Sequence, residues 1–208
     1  MKALSEWESK RRLEGLPYPK EALTASSDEA VKFVTALGRP VVAKASGVAH
    51  KTEGGLVRFD VTAQTVGPIW DELAAAGDGK VLLAEQLSAE LELIVGGYRD
   101  QSFGPLVTIG VGGIAAEIFG DVVALLAPPE AGEVAAAVKQ LSGRKLLQGI
   151  RGGPPVDLDA LATIVDRVAG LLVKDPTVAE IDCNPVMVCK GVPRVVDALV
   201  VLADGAGT

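Results

Sequence analysis

Histidine, cysteine and aromatic residues are scarce in this chain of 208 residues, and this scarcity excludes several classes of function. Aromatic residues make up 4% of the sequence, which argues against a platform for stacking nucleic-acid bases. The formal charge of −7 argues against non-specific nucleic-acid binding, which needs a basic surface. The two cysteines, Cys183 and Cys189, match neither a Cys-x-x-Cys motif nor a zinc-site spacing. They lie an even number of residues apart within a strand-like run, so we expect both to be buried on the same face.

Long hydrophobic runs are also missing. The longest ones, at 122–129 and 199–203, are too short to span a bilayer. The first residues are charged from the outset and lack the apolar segment of a signal peptide. About half of the residues are apolar, enough for the core of one domain or of two close-packed lobes. We therefore expect a soluble, cytoplasmic protein with no membrane contact.

The hydrophobic pattern predicts helices and strands that mix without a strict βαβ repeat, which indicates an α+β or mixed α/β fold. Residues 26–29 form a capping box for a helix that ends before Gly38. The predicted helices cover 4–13, 26–37, 65–76, 130–141 and 157–173. The predicted strands cover 41–44, 55–62, 81–84, 92–98, 106–111, 180–188 and 194–202.

The loop around the only histidine has the residue types that hold phosphate groups. A buried strand ends on Lys44, and His50, Lys51 and the glycines Gly54 and Gly55 follow. Lysine ammoniums and backbone N–H groups made accessible by glycine bind polyphosphate. The stretch lacks the spacing of a P-loop, so by itself it only suggests nucleotide chemistry. Lys44 at the end of its strand has a second explanation, in which its side chain extends to solvent.

A predicted hairpin near the end of the chain carries polar residues at every second position. Residues two apart share a face of a strand, which puts Glu180, Asp182 and Asn184 on one side. A two-residue turn at 190–191 would place Asn184 directly opposite Asp197. Such oxygen ligands suit Mg²⁺. A solvated polar face is the alternative, although Asp197 interrupts an apolar run and would need a partner if buried.

With these segments in order, the chain closely resembles the ATP-grasp subunit of NDP-forming acyl-CoA synthetases, such as the ADP-forming acetyl-CoA synthetase β subunit. More distantly it resembles the succinyl-CoA synthetase β subunit. The resemblance covers residues 4–202 and is carried mainly by the segments 40–55, 92–96, 104–105, 110–113 and 180–185, with Asp197. It implies an ATP-grasp fold for 1–208, with nucleotide in a cleft between two lobes. The small lobe would comprise about 16–86, and the large lobe 1–15 with 87–208.

The resemblance also implies roles for individual residues. Lys44 would contact the phosphates of ATP, with Lys51 and the loop glycines Gly54 and Gly55 near them. Glu85 would lie at the hinge near the adenine and ribose, and Glu92 matches a nucleotide-contacting glutamate. Both glutamates could instead be ordinary surface residues.

The metal ligands and the phosphoryl acceptor follow from the same resemblance. Asn184 and Asp197 match Mg²⁺ ligands, with Asp182 nearby. His50 would accept the phosphoryl group, in the reaction acid + CoA + ATP ⇌ acyl-CoA + ADP + phosphate. A lone histidine can equally be a structural residue.

The sequence departs from the family pattern at Leu125, where relatives commonly have an arginine. No Gly-x-Gly-x-x-Gly follows a strand, so the acid and CoA would bind to an α-type partner subunit in a hetero-oligomer. Two other functions remain open: a non-catalytic ATP-grasp module that regulates a partner, and an ATP-grasp carboxylate–amine ligase. Gly112 and Gly113 are compatible with either a tight turn or a ligand contact.

Overall fold

The computed structural model describes residues 1–48, 55–113, 120–150 and 152–204. The chain divides into two compact units. The small unit comprises Ser5–Trp7 and Tyr18–Leu87, and the large unit comprises Met1–Leu4, Glu8–Pro17 and Ser88–Thr208. In the described part of the chain, no helix is both long enough and apolar enough to cross a membrane.

The helices and strands follow the chain in a mixed order. The strands are β1 Lys2–Ala3, β2 Glu21–Thr24, β3 Val41–Ala45, β4 Val57–Val61, β5 Val81–Glu85, β6 Leu91–Asp100, β7 Gly104–Val111, β8 Val122–Leu126, β9 Val178–Cys189, β10 Val192–Val195 and β11 Leu199–Leu202. The helices are α1 Glu6–Arg12, α2 Ser27–Leu37, α3 Val66–Ala76, α4 Glu133–Val138 and α5 Leu158–Lys174, with a 3₁₀ helix at Ser142–Gln148. Strands β1, β2 and β8 and the 3₁₀ helix were not predicted.

The small unit is an antiparallel sheet in the order β2-β5-β3-β4, with α2 and α3 packed against it. The predicted capping box is confirmed at α2: the Ser26 hydroxyl accepts a hydrogen bond from the backbone N–H of Glu29. Gly38 ends the helix in the left-handed conformation that glycine favours. Alternate residues of β3, namely Val41, Ala43 and Ala45, enter the core formed with these helices. The residues between them, including Lys44, therefore project from the other face.

The large unit contains a seven-stranded sheet in the order β1-β11-β9-β6-β7-β8, with β10 also paired to β9. Helix α5 packs against β6, β7 and β9. It approaches β6 most closely at Gly97, where a Cβ atom would lie 2.5 Å from Leu172 Cδ1. Glycine at this position lets the helix lie against the sheet. The residues on either side of Gly97 along β6 face away from α5.

The predicted hairpin has the expected turn and register but is interrupted. Lys190 and Gly191 both have positive φ angles, as in a two-residue hairpin turn. Arg194 pairs with Met187 and Leu199 pairs with Asp182, which is the predicted register. The prediction of one continuous strand over 194–202 is wrong, because residues 196–198 separate β10 from β11.

A bulge in β9 corrects a prediction about cysteine. Leu93 of β6 pairs with Val186, whereas Val95 pairs with Cys183, so β9 has two residues where β6 has one. The alternation of faces shifts by one position at this bulge. Cys183 is buried, as expected, but Cys189 is half-buried and projects from the opposite face. The expectation that both cysteines share a buried face is therefore wrong.

Candidate functional site

Lys44 lies within the fully buried strand β3 of the small unit. Its Nζ atom donates a hydrogen bond to Glu6 Oε1 at 2.8 Å. The two side chains are only 6% and 3% exposed, respectively. The alternative in which Lys44 merely reaches solvent is thus wrong. The hydrogen bond to the carboxylate holds the buried ammonium group at a defined position.

Glu85, at the end of β5, does not share a face with Lys44. Glu85 pairs with Val41, three residues from Lys44 along β3, and an odd separation places the two side chains on opposite faces. Its Oε1 atom accepts a hydrogen bond from the Arg39 guanidinium at 2.6 Å. Glu85 is 10% exposed and Arg39 is 60% exposed. The structure therefore brings Glu85 to Arg39 rather than to Lys44, and its predicted nucleotide contact stays a prediction.

The residue after Glu85 makes a contact that the sequence did not reveal. The amide of Gln86 hydrogen-bonds twice to Asp60, at 2.7 Å to its backbone N–H and at 2.8 Å to its carboxylate. Asp60 has a φ of 54°, a strained conformation for a residue with a side chain. These two bonds fix the segment that leaves β5 against the neighbouring strand β4.

Three residues of the predicted phosphate loop, His50, Lys51 and Gly54, lie outside the described residues. Gly55 is described at the start of the segment that enters β4 and has a φ of 63°. It is exposed, and its carbonyl accepts a hydrogen bond from the Arg58 guanidinium. The backbone of Gly55 is therefore in a conformation that glycine adopts readily.

In the large unit, strand β9 brings the predicted metal ligands together. Burial raises the pKa of the Asp182 carboxyl, and the negative charges of Glu180 and Asp197 raise it further. A hydrogen bond with the Asn184 side chain acts in the opposite direction. Asp182, Asn184 and Asp197 therefore form one group of oxygen-bearing side chains with an excess of negative charge. We call it the carboxylate group.

The carboxylate group fits a hard divalent cation in its chemistry. Carboxylate and amide oxygens are the ligands that Mg²⁺ prefers, and a cation would offset the repulsion that raises the pKa of Asp182. Within the described ranges, no group of three or more His, Cys, Asp or Glu side chains could hold a metal ion. The predicted set has two such side chains, Asp182 and Asp197, and an amide. A metal here would need further ligands from water or from a bound phosphate.

Glu92, on β6, shares a sheet face with Asp182 at some distance. Asp182 pairs with Gly96, which lies four residues from Glu92 and on the same face. Four residues of strand correspond to about 13 Å. The backbone of Gly112 and Gly113 lies against Glu92: Gly112 donates a hydrogen bond to its carbonyl oxygen at 2.7 Å. A Cβ on Gly113 would lie 3.3 Å from Glu92 Oε2. The two glycines thus form a turn that closely approaches Glu92.

Leu125 lies on the other face of the large sheet. It pairs with the fully buried Val107 of β7, and paired residues point to the same side. Gly97, which also pairs with Val107, is the residue that α5 contacts. Leu125 therefore does not share a face with Asp182 or Glu92.

Glu6 is the main residue that the sequence interpretation missed. It lies 38 residues before Lys44 in a short helix with no motif of its own. A signal was available, because a lysine in a strand that is apolar on both faces requires a carboxylate partner.

Comparison with known proteins gives the family. The ATP-grasp domain family matches residues 1–202. Subunit beta of ADP-forming acetate–CoA ligase I from Pyrococcus furiosus is 31% identical over 208 residues, which cover 92% of this chain and 87% of that subunit. ADP-forming acetate–CoA ligase I from Archaeoglobus fulgidus is 33% identical over 202 residues, covering 92% of this chain. The chain spans only 29% of the length of the Archaeoglobus protein.

Solved structures agree with these sequence relationships. The dinucleotide-forming acetyl-coenzyme A synthetase 1 of Ca. Korarchaeum cryptofilum, in complex with coenzyme A and Ca-AMPCP, has a TM-score of 0.88 and 32% identity. The match covers 97% of this chain and 94% of that one. The same protein has been solved with coenzyme A and Mg-AMPPCP, its phosphohistidine segment pointing towards the nucleotide binding site. That protein thus binds analogues of adenine nucleotides.

The chain belongs to the ATP-grasp domain family, in the group that includes the β subunits of ADP-forming acetate–CoA ligases. The expected fold class, α+β with the ATP-grasp fold, is confirmed. The resemblance stated from the sequence is confirmed with it.

Proposed function

We propose that the chain is the nucleotide-binding subunit of an ADP-forming acyl-CoA synthetase that catalyses acid + CoA + ATP ⇌ acyl-CoA + ADP + phosphate. The observation that carries the proposal is the match to the Pyrococcus furiosus subunit beta over 87% of that subunit. A subunit named beta implies a separate partner, and we propose an α-type subunit that binds CoA and the acid.

The proposed chemistry is a phosphoryl relay through His50. An imidazole nitrogen of His50 attacks the phosphorus of a phosphoryl donor, and the bond from phosphorus to the leaving oxygen breaks. In the direction of ATP synthesis, an oxygen of the terminal phosphate of ADP then attacks the same phosphorus and the N–P bond breaks. Imidazole suits this task because its ordinary pKa is near neutrality.

Lys44, Lys51 and the loop glycines Gly54 and Gly55 would hold the phosphates during this transfer. The Lys44 ammonium lies 2.8 Å from Glu6 and is buried. Phosphoryl transfer depends mostly on alignment and on neutralising charge, and a fixed buried cation contributes to both. We retain Glu92 and Glu85 as proposed nucleotide contacts.

The carboxylate group, with Asn184, Asp197 and Asp182, would hold Mg²⁺. When bound, the ion would neutralise negative charge on the phosphates. The excess negative charge around Asp182 supports this assignment, since a group of carboxylates without a cation repels a phosphate.

The test is phosphoryl transfer from [γ-³²P]ATP with Mg²⁺, with and without a candidate α-type subunit. We expect a label on the chain that is stable in base, labile in acid and absent from His50→Ala. Glu72→Gln, at an exposed position, is a control that should label like the wild type. A protein that binds ATP but takes no label under any condition would be a non-catalytic ATP-grasp module.

A further inference from the structure

Lys44 is unusual because its charge is buried. All five residues of β3 are buried, and the Lys44 side chain is 6% exposed. Moving an ammonium out of water is costly unless a partner of opposite charge compensates for it. Lys44 also projects from the face of β3 opposite the residues that pack with α2 and α3. Its charge is therefore not needed to build that core.

Glu6 compensates for this charge from a different part of the chain. It is the first residue of helix α1, and its carboxylate lies 2.8 Å from the Lys44 ammonium. The Glu6 side chain is 3% exposed, so little water competes for the contact. A charge-assisted hydrogen bond of this length is both strong and directional. It limits where the long, flexible lysine side chain can place its nitrogen.

We propose that Glu6 is a positioning residue that fixes the Lys44 ammonium for contact with the phosphates of the nucleotide. This inference rests on the proposed function, in which Lys44 binds those phosphates. Catalysis of phosphoryl transfer depends on placing cations accurately, so a fixed ammonium is worth more than a mobile one. Glu6 itself touches no phosphate in this proposal and acts through Lys44.

Another ion pair of the small unit shows what a pair without this role looks like. The Arg58 guanidinium contacts the Glu72 carboxylate, but these side chains are 34% and 59% exposed. Water can replace the Glu72 carboxylate there, and the Arg58 guanidinium also donates hydrogen bonds to the backbone carbonyls of Gly55 and Val57, which do not depend on Glu72. Glu72→Gln is therefore a matched control for Glu6→Gln: the same chemical change in the same unit, at an exposed pair.

The experiment compares ligands that differ in their phosphates. Binding of ATP and of adenosine is measured by competition against a fluorescent ATP analogue, at fixed Mg²⁺. We expect Glu6→Gln to weaken ATP binding about tenfold, as for one misplaced charge-assisted hydrogen bond, and adenosine binding less than about twofold. Glu72→Gln should change neither. A role of Glu6 in folding alone would weaken both ligands alike, and that result would overturn the proposal.

A double-mutant cycle tests whether Glu6 acts through Lys44. Lys44→Met should weaken ATP binding, and adding Glu6→Gln to Lys44→Met should change it less than about twofold further. Independent, additive losses would overturn the proposal. If Lys44→Met binds ATP normally, the phosphate contact of the proposed function is wrong. If Lys44→Met weakens binding and Glu6→Gln does not, only the positioning role is wrong.

A loss of folded protein in a variant must be separated from a loss of nucleotide binding. Circular dichroism establishes that each variant is folded at the temperature of the binding measurement. If Glu6→Gln fails to fold, Glu6→Asp is used instead. Aspartate keeps the negative charge, but its side chain is one methylene group shorter and holds the carboxylate farther from the Lys44 ammonium. Glu6→Asp should then weaken ATP selectively over adenosine, and equal effects on the two ligands would again overturn the proposal.

Discussion

The two units manage charge in opposite ways. In the small unit, the ammonium of Lys44 is buried and lies 2.8 Å from the carboxylate of Glu6. In the large unit, the carboxyl of Asp182 lies near two other acidic groups, Glu180 and Asp197, and its pKa is raised. The first arrangement compensates a charge within the chain. The second places several negative charges close together.

The difference indicates which part of the candidate site is complete without a ligand. A buried ion pair of good geometry is stable in the absence of any other molecule, and removing one partner leaves an uncompensated charge. A group of like charges responds in the opposite way: the fold becomes more stable when one charge is removed or when a cation binds. The Lys44 ammonium is thus held without a ligand, whereas a bound cation would stabilise the carboxylate group.

Removing Glu6 gives the largest expected effect on stability. We expect Glu6→Gln to lower the free energy of unfolding by about 3 kcal/mol, because it leaves the Lys44 ammonium buried without its carboxylate. Urea denaturation in the presence of a chelator measures the change. The variant with both Glu6→Gln and Lys44→Met should lose less than Glu6→Gln alone, since it buries no unpaired charge. A double variant at least as unstable as Glu6→Gln would contradict this explanation.

Removing a carboxylate from the large unit should have the opposite sign. We expect Asp182→Asn to raise the melting temperature by a few degrees in chelator, because it removes a charge that is opposed first by burial and then by the repulsion from Glu180 and Asp197. Mg²⁺ should raise the melting temperature of the wild type and have less effect on the variant. Thermal unfolding with and without Mg²⁺ measures both effects. A variant that melts lower in chelator would show that Asp182 is held by favourable contacts rather than opposed by its neighbours.

Asp175 of the large unit extends the comparison, because its carboxylate is favoured by its surroundings; the expected effect is smaller. The hydrogen bond from the Thr177 hydroxyl, together with the nearby Arg12, lowers the pKa of Asp175 below its usual value of 3.8. The ionised form is therefore favoured by folding. Its contribution is complete above pH 3.8 and is lost as the pH falls through the lower pKa of the folded protein.

We accordingly expect Asp175→Asn to be less stable than the wild type near pH 6, and the difference to shrink steadily as the solution is acidified. Urea midpoints at a series of pH values test this. Glu72→Gln, with its exposed pair, should show little difference at any pH. A deficit for Asp175→Asn that stays constant down to pH 2 would mean that the aspartate acts by shape and not by charge.

Local features of the fold were predictable from the sequence. The capping box at Ser26 and Glu29 and the left-handed Gly38 depend on neighbouring residues only. The hairpin register followed from the turn at Lys190 and Gly191, because a two-residue turn fixes every pair beyond it.

Features that depend on distant segments were not predictable. The β9 bulge that moves Cys189 to the other face is visible only against β6, nearly 90 residues earlier in the chain. The pairing of Glu6 with Lys44 likewise joins segments 38 residues apart. For the candidate site, residue types and spacing suggested a cation near phosphate and a carboxylate group. The face from which Glu85 projects and the partner of Lys44 required the three-dimensional structure.

The first and last strands of the chain are neighbours in one sheet: β1 pairs with β11, Lys2 opposite Leu202. Most of the small unit is a single uninterrupted stretch, Tyr18–Leu87. On a ribosome, that stretch is complete long before residues 199–202 have been made, whereas the large sheet must wait for them. A circular permutant that joins the end of β11 to β1 and opens between residues 87 and 88 would place the large unit's strands before most of the small unit, so that the large sheet would no longer wait.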